Sequence, residues 1–151
     1  MCASQITNIA LVGIGSIGKR HHMAIEQIDN VNLAGIVDLS KHAKIYCDDK
    51  KIPLYKNINN LKIDHNIDGV IISTPTILHY KNSIAALKLG LDVLIEKPIS
   101  ATINEAKEID KVAKENNCKV LVGHQRRFYP LVLETKKIIS DKKIGKVIGL
   151  S

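Results

Sequence analysis

The chain has 151 residues, a formal net charge of +7 and 45% apolar residues. This length fits one ordinary domain with a real core, and this apolar content excludes an intrinsically disordered chain. No apolar run reaches the ~18 residues of a membrane span, and no secretory leader opens the chain, so no membrane partner is expected. Three cysteines without C-x-x-C spacing argue against disulfides and a metal site, which favours a cytoplasmic protein.

The positive charge raises nucleic acid as a partner. However, only three of the 22 basic residues are arginine, the residue that best reads base edges, and the lysines are spread along the chain. We therefore expect no nucleic-acid partner. Part of the charge is consistent with a phosphate-bearing cofactor or an acidic substrate.

Strand and helix patterns alternate along the chain, which predicts an α/β fold with a doubly wound parallel sheet covered by helices on both faces. In the first helix, apolar spacing places Ile17, His21, Ile25 and Ile28 on the inner face. The predicted strands are 6–12, 33–38, 54–55, 70–73, 92–95 and 119–122. The predicted helices are 16–28, 40–49, 77–89, 103–116 and 130–140. Thr76 is expected to cap the third helix and Gly90 to end it, and Thr102 and Glu105 form a capping box at the start of the fourth. Residues 1–145 are assigned to this domain, and 146–151 to the start of a strand that leads beyond it.

The first strand runs into a glycine-rich turn with the spacing G-x-G-x-x-G. Gly13 suits a tight turn, Gly15 leaves the backbone open to a pyrophosphate, and Gly18 lets the next helix pack closely. Asp38 lies 20 residues beyond Gly18, at the end of the second apolar run. Together these features predict a dinucleotide-binding βαβ unit. Asp38 suits the ribose hydroxyls of NAD and would repel the 2′-phosphate of NADP, although NADP is kept as an alternative.

Three further polar segments follow predicted strands: Ser-Thr-Pro-Thr-Ile-Leu-His at 73–79, Glu-Lys-Pro at 96–98 and Gly-His-Gln-Arg-Arg-Phe at 123–128. Ligands of open α/β sheets bind at these strand ends. In this order, with the glycine turn, the segments resemble the N-terminal domain of the glucose–fructose oxidoreductase, inositol dehydrogenase and MocA (Gfo/Idh/MocA) family. The resemblance covers essentially all of the chain, and Glu-Lys-Pro after a strand is a specific part of it.

The resemblance implies a Rossmann-type domain of an NAD(P)-dependent dehydrogenase acting on a sugar or cyclic polyol, with nucleotide sugars as a further option. It implies that Lys97 is catalytic, donating a hydrogen bond to the substrate oxygen and helping the proton to leave, with Glu96 as a nearby charge partner. It also implies a cis peptide before Pro98. The implied cofactor-binding residues are Gly13, Gly15, Ser16, Ile17, Gly18, Asp38, Ser73, Thr74, Pro75, Thr76, His79, Glu96, Lys97, Gln125 and Arg127.

Two of these assignments keep alternatives. His79 bonds the cofactor or the backbone, or it is a structural histidine. One of Arg126 and Arg127 packs or pairs under its loop, and the sequence does not indicate which.

Family members continue for roughly 150–200 further residues, a second domain. That domain supplies most of the substrate pocket, an acid and histidine pair for the proton relay, and the oligomer interface. We therefore expect this chain to bind NAD but to turn substrate over poorly, with the second domain or another copy of the chain as partner. The alternative is a non-enzymatic nucleotide-sensing or partner-binding module.

Overall fold

A computed structural model describes residues 6–64 and 66–149, without the side chain of residue 64. The strands of this part are β1 (Thr7–Val12), β2 (Val31–Val37), β3 (Leu54–Tyr55), β4 (Gly69–Ile72), β5 (Asp92–Glu96) and β6 (Val120–Gly123). They form one sheet in the order β3-β2-β1-β4-β5-β6, and every neighbouring pair is parallel. The order reverses between β1 and β4, as in doubly wound folds, so the predicted fold class is confirmed.

The helices are α1 (Ser16–Ile25), α2 (Lys41–Lys50), α3 (Ile58–Asp64), α4 (His79–Lys88), α5 (Ile103–Glu115) and α6 (Pro130–Ser140), with 3-10 turns at Thr76–Leu78 and Gln125–Phe128. The predicted capping box at the start of α5 is present, with the Thr102 hydroxyl accepting from the Glu105 N–H. Thr76 caps no helix, because it lies inside the 3-10 turn that precedes α4. The sequence analysis did not find α3.

The core lies on both faces of the sheet. Val93 and Ile95 of β5 face one side, where they pack with buried residues such as Leu87 of α4 and Ile109 of α5. On the other side, α1 and α2 cover β1 and β2 and bury residues that include Leu11. Alternate residues of β1, β2 and β4 therefore pack in two separate clusters, as expected for a sheet between helices.

The second face is covered over only part of its width. One row of side chains crosses this face in register, with Ile36 paired to Leu11, Leu11 to Ile71, Ile71 to Leu94, and Leu94 to Leu121. Leu11 and Ile36 are fully buried beneath helices, whereas Leu121 is 67% exposed. Among the described residues, helices therefore flank the sheet as predicted, but the cover on the second face decreases from β1 and β2 through the partly buried Ile71 and Leu94 to the exposed Leu121.

Two other predictions need correction. The buried positions of α1 are Gly18, His22 and Ile25, whereas Ile17 is 37% exposed and Ile28 lies beyond the helix. The strand expected from residue 146 is not formed at residues 146–149, where the backbone has no strand partner, and its last two residues lie outside the described part. The domain boundary at residue 145 remains a prediction.

Candidate functional site

The glycine turn joins β1 to α1 at the carboxyl end of the sheet. Gly13 has φ of +94°, and a Cβ there would lie 3.0 Å from the backbone nitrogen of Thr74. A Cβ on Gly18 would collide with the carbonyl oxygen of Gly13. The Ser73 hydroxyl donates to that same carbonyl over 2.8 Å. The first turn of α1 is therefore pressed against the strand end, and only glycine fits at both positions.

The N-terminus of α1 is open. Gly15 is its N-cap, no side chain caps the helix, and its first turn contains no acidic residue. A Cβ on Gly15 would meet nothing within 4 Å. The helix therefore presents unpaired N–H groups and a positive dipole end to empty space. A pyrophosphate fits such a place, so the residues present suit the phosphates of a dinucleotide.

Asp38 follows β2 and faces the glycine turn. Its carboxylate accepts the backbone N–H of Ile14 over 2.9 Å and that of Ser40 over 2.8 Å. Burial by itself would raise the pKa of Asp38, but the hydrogen bonds from Ile14 and Ser40 outweigh it, so the pKa is lowered from its usual 3.8. Asp38 is thus an ionised, half-buried acceptor beside the turn.

Three cavities follow one another along the carboxyl ends of the strands. The first, the glycine-loop cavity, has a volume of about 410 Å³ and contains the turn and Asp38. Its lining residues are Val12, Gly13, Ile14, Gly15, Val37, Asp38, Leu39, Ser40, His42, Lys56, Ser73, Thr74, Pro75, Leu78 and Asn82. Of these, His42 and Lys56 are basic residues beside Asp38 that the sequence analysis did not connect with the site.

The second cavity, the lysine cavity, has a volume of about 350 Å³ and shares Ser73, Thr74 and Pro75 with the first. Its other lining residues are Ile17, Arg20, Thr76, His79, Glu96, Lys97, Gln125 and Arg126. Most of the predicted cofactor-binding residues therefore line one continuous trough. Arg20, from α1, was not predicted, because it lies outside the four motifs that carry the resemblance.

His79 joins two loops of this trough. The side chain is 1% exposed, and its Nδ1 and Nε2 lie 2.8 Å from the carbonyl oxygens of Pro98 and Thr74, respectively. Both ring nitrogens are thus engaged by backbone, which leaves neither of them for a cofactor. Of the alternatives left by the sequence, the structure favours the backbone-bonded, structural one.

Glu96 pairs with a histidine that the apolar spacing had placed on the inner face of the first helix. Its carboxylate lies 2.9 Å from Nε2 of His21 in α1, and it also accepts the backbone N–H of Lys97 over 3.2 Å. The partner of Glu96 is therefore His21 and the Lys97 backbone rather than the Lys97 ammonium. The peptide between Lys97 and Pro98 is cis, as the resemblance implied.

The third cavity, the arginine cavity, has a volume of about 340 Å³ and is lined by Lys97, His124, Gln125, Arg126 and Arg127. It shares Lys97, Gln125 and Arg126 with the lysine cavity. Arg127, a predicted cofactor-binding residue, lines only the arginine cavity, whereas Arg126 lines both the lysine cavity and the arginine cavity. His124 was not predicted, although its place directly after β6 was the available signal.

Neither a metal centre nor a membrane segment is present in the described part of the chain. No three His, Cys, Asp or Glu side chains of residues 6–64 and 66–149 come together in a metal-binding arrangement. No helix there has both the length and the apolar character needed to cross a bilayer.

The sequence matches a family described as an oxidoreductase family with an NAD-binding Rossmann fold, over residues 7–124. It is similar to inositol 2-dehydrogenase/D-chiro-inositol 3-dehydrogenase of Lactiplantibacillus plantarum, at 29% identity over 151 residues, or 97% of this chain and 43% of that protein. The chain thus spans less than half the length of this relative.

Solved structures share the fold. Myo-inositol 2-dehydrogenase from Lactobacillus plantarum has a TM-score of 0.87 and 30% identity, covering 95% of this chain and 44% of that one. WlbA dehydrogenase from Chromobacterium violaceum, solved with NADH and UDP-GlcNAcA, has a TM-score of 0.87 and 26% identity, covering 96% of this chain and 42% of that one.

Proposed function

Because this chain belongs to the Gfo/Idh/MocA oxidoreductase family and forms its NAD-binding Rossmann domain, we propose that it is the cofactor-binding part of a dehydrogenase. The substrate is a sugar or cyclic polyol, with nucleotide sugars included. The relatives support this choice, since the names of two of them specify inositol and a third was solved with UDP-GlcNAcA. No observation favours the alternative of a non-enzymatic sensing module.

The observation that carries the proposal is the order of groups along the trough. Asp38 and the glycine turn line its first cavity, Thr74 and Pro75 line the junction, and Lys97 lies in the next cavity. A dinucleotide has the same order, with a ribose, a pyrophosphate and then the reactive ring. The nicotinamide supplies the hydride acceptor when NAD is bound.

The chain's own residues would act as follows. Asp38 accepts hydrogen bonds from ribose hydroxyls, and the open N-terminus of α1, with Ser16 and Ile17 in its first turn, binds the phosphates. Lys97 donates a hydrogen bond to the substrate hydroxyl oxygen and helps its proton to leave. Its ammonium makes no ion pair or hydrogen bond to any described residue, so it is available for this role.

Calorimetric titration with NAD tests the proposal, and the variant Gly15→Asp tests where the phosphates bind. Gly15 has φ of −67°, which any residue adopts, and open space around its Cβ position. Aspartate is also a good N-cap, so this variant should be at least as stable as the original. Its carboxylate would repel the pyrophosphate, and we expect at least about tenfold weaker NAD binding, or ~1.4 kcal/mol.

Gly149→Asp is the matched control, because it adds the same charge at another open position. It should leave NAD affinity unchanged. Absence of NAD binding by the original chain at millimolar cofactor would overturn the proposed function. Equal affinities for the original chain and Gly15→Asp would overturn the placement of the phosphates.

We further propose that this chain alone forms no NADH in steady state with inositols, hexoses or nucleotide sugars. Glu96 is the one acid that lines the lysine cavity among the described residues, and it is engaged with His21. Catalysis needs the proton acceptor and substrate to be positioned together. Robust turnover by the purified chain, followed at the NADH absorbance, would contradict this expectation.

A further inference from the structure

The arginine cavity contains an unusual concentration of positive charge. Lys97, Arg126 and Arg127 are cationic at neutral pH, and His124 and Gln125 complete the lining. No acidic residue of the described chain lines this cavity. Cations grouped in one concavity focus a positive potential, which concentrates anions there.

These cations also lack partners. Across residues 6–64 and 66–149, the Lys97, Arg126 and Arg127 side chains make no ion pair and donate no hydrogen bond. Elsewhere on the surface, exposed lysines do pair with acids one helical turn away: Lys44 with Asp48, Lys111 with Glu115 and Lys114 with Asp110. What distinguishes Lys97, Arg126 and Arg127 is that their unpaired donors line one cavity, where they suit a ligand that accepts several hydrogen bonds.

The helix that follows the two arginines also begins without a compensating negative charge. α6 begins directly after the 3-10 turn that contains Arg126 and Arg127, and its N-terminus has neither a side-chain cap nor an acidic residue in the first turn. The positive end of its dipole is thus uncompensated within the helix.

The phosphates of the cofactor do not account for this charge. They suit the open N-terminus of α1, and the glycine-loop cavity shares no lining residue with the arginine cavity. The lysine cavity lies between them, since it shares residues with both. The arginine cavity is therefore on the far side of Lys97 from the cofactor phosphates, where a substrate lies if Lys97 contacts its reacting hydroxyl.

We propose that the arginine cavity binds an anionic group of the substrate, a carboxylate or a phosphate ester, and that this chain therefore serves a dehydrogenase of acidic sugar or polyol derivatives. The inference rests on the proposed function and narrows its substrate class. Arginine suits this role because its planar guanidinium donates two parallel hydrogen bonds to a carboxylate or phosphate. Lys97 would then contact the hydroxyl while Arg126 and Arg127 hold the charged end.

The test is a titration of the NADH-saturated chain, followed by amide NMR shifts. The probes are D-glucuronate, D-glucose 6-phosphate and uncharged D-glucose. We expect one or both anionic sugars to shift the amides of residues 124–127, with at least about tenfold higher affinity than D-glucose, or ~1.4 kcal/mol. A response to D-glucuronate alone identifies a carboxylate site, and a response to D-glucose 6-phosphate alone identifies a phosphate site.

Arg126→Gln and Arg127→Gln should each weaken binding of the anionic sugar about tenfold, whereas Arg126→Lys, which keeps the charge but loses the planar fork, should have a smaller effect. Lys107→Gln removes one positive charge from an exposed position of α5 and should change nothing. The NADH affinity of every variant is measured separately, so that loss of the cofactor is not mistaken for loss of the anion site.

Four outcomes would overturn the inference. D-glucose could bind as well as the anionic sugars, the arginine variants could bind them unchanged, the shifts could lie outside residues 124–127, or no anionic sugar could bind at millimolar concentration. Any of these results with normal NADH binding leaves the proposed function standing. Failure of NADH itself to bind overturns both.

Discussion

At the scale of single residues, the Asp38 carboxylate both holds the local backbone and lines the proposed cofactor site. Its carboxylate holds the backbone of Ile14 and Ser40, and the open side of the same group faces the glycine-loop cavity. Asp38→Asn keeps the size and part of the hydrogen bonding but loses the charge. We expect it to bind NAD about tenfold more weakly and to bind NADP no worse, as measured by calorimetry with each cofactor. Equal losses for both cofactors would contradict the assignment.

The contribution of Asp38 to the free energy of unfolding should decrease in acid. The pKa of Asp38 lies below its usual 3.8 in the folded chain, so its ionised form stabilises the fold above that pH. This contribution is lost as the pH falls through the lower, folded value. The stability difference between the original chain and Asp38→Asn should therefore be constant from about pH 5 to 8 and shrink only in stronger acid.

His79 gives the second prediction at this scale. His79→Leu would remove the imidazole that contacts the part-buried carbonyl groups of Thr74 and Pro98. A neutral imidazole has one N–H and donates to one carbonyl group, so we expect a loss of ~1–3 kcal/mol. Urea unfolding should show this loss. His42→Leu, at an exposed position, is the control and should cost less than about 0.5 kcal/mol. A His79 variant as stable as the control would show that these contacts contribute nothing to the fold.

The sequence predicted some residues of the site and missed others for physical reasons. Gly13 and Gly18 were predictable because the turn imposes local backbone constraints with a fixed spacing. The bond from His79 to Pro98 was not, because its partners are 19 residues apart and only the packing of α4 brings them together. The pairing of His21 with Glu96 spans 75 residues and has no signal in the pattern of either segment.

At the scale of elements, α1 shows how a close approach overrides periodicity. Spacing alone predicted an inner face of Ile17, His21, Ile25 and Ile28. The buried positions are instead Gly18, His22 and Ile25, and Gly18 lies close against the carbonyl oxygen of Gly13. His22 then bonds the Tyr46 hydroxyl of α2 over 2.7 Å. The buried face of α1 therefore includes a close contact at a glycine, which apolar spacing does not reveal.

Because α1 ends at Ile25, before Ile28, these two isoleucines give a matched pair of variants. Ile25 is 6% exposed, so Ile25→Ala should lower the free energy of unfolding by ~2–5 kcal/mol. Ile28 is 47% exposed, so Ile28→Ala should cost less than about 0.5 kcal/mol. Denaturant unfolding measures both. Similar losses for the two variants would support the face predicted from the sequence.

The short helix α3 escaped the sequence analysis because its signal is weak. It has seven residues, and among its first six side chains Ile58 and Leu61 are the buried ones, a single pair at helical spacing. Its start depends on the Asn57 side chain, which accepts the backbone N–H of Asn60 over 2.9 Å. The longer helix α5 has three buried positions and a capping box, and its predicted bounds were correct to within one residue.

At the scale of the whole molecule, the sheet is covered unequally. Strand patterns predict which side chains alternate, but they do not reveal whether a helix lies above a given strand. Leu121 and Ile95 are therefore indistinguishable in the sequence, although one is 67% exposed and the other fully buried. Which strands are covered by helices was therefore not predictable from the sequence and is known only from the structure.

Replacement of Leu121 by Asn tests this inequality. We expect Leu121→Asn to change the free energy of unfolding by less than about 0.5 kcal/mol, since its side chain is already in water. Ile95→Asn should cost more than ~4 kcal/mol, because it places an unsatisfied amide in the core. Denaturant unfolding compares the two, and a large loss for Leu121→Asn would mean that this sheet face is buried in solution.

The lack of buried residues in α6 affects how the domain unfolds. The helix has 11 residues, none of them buried, and its main contact is with the neighbouring turn Gln125–Phe128. A helix of this length is marginal in water without tertiary support. Its backbone amides should therefore exchange with solvent through local unfolding, while those of β1 and β4 exchange only when the whole domain unfolds. The described chain thus consists of a cooperative sheet and a separate, weakly protected unit that begins beside Arg126 and Arg127.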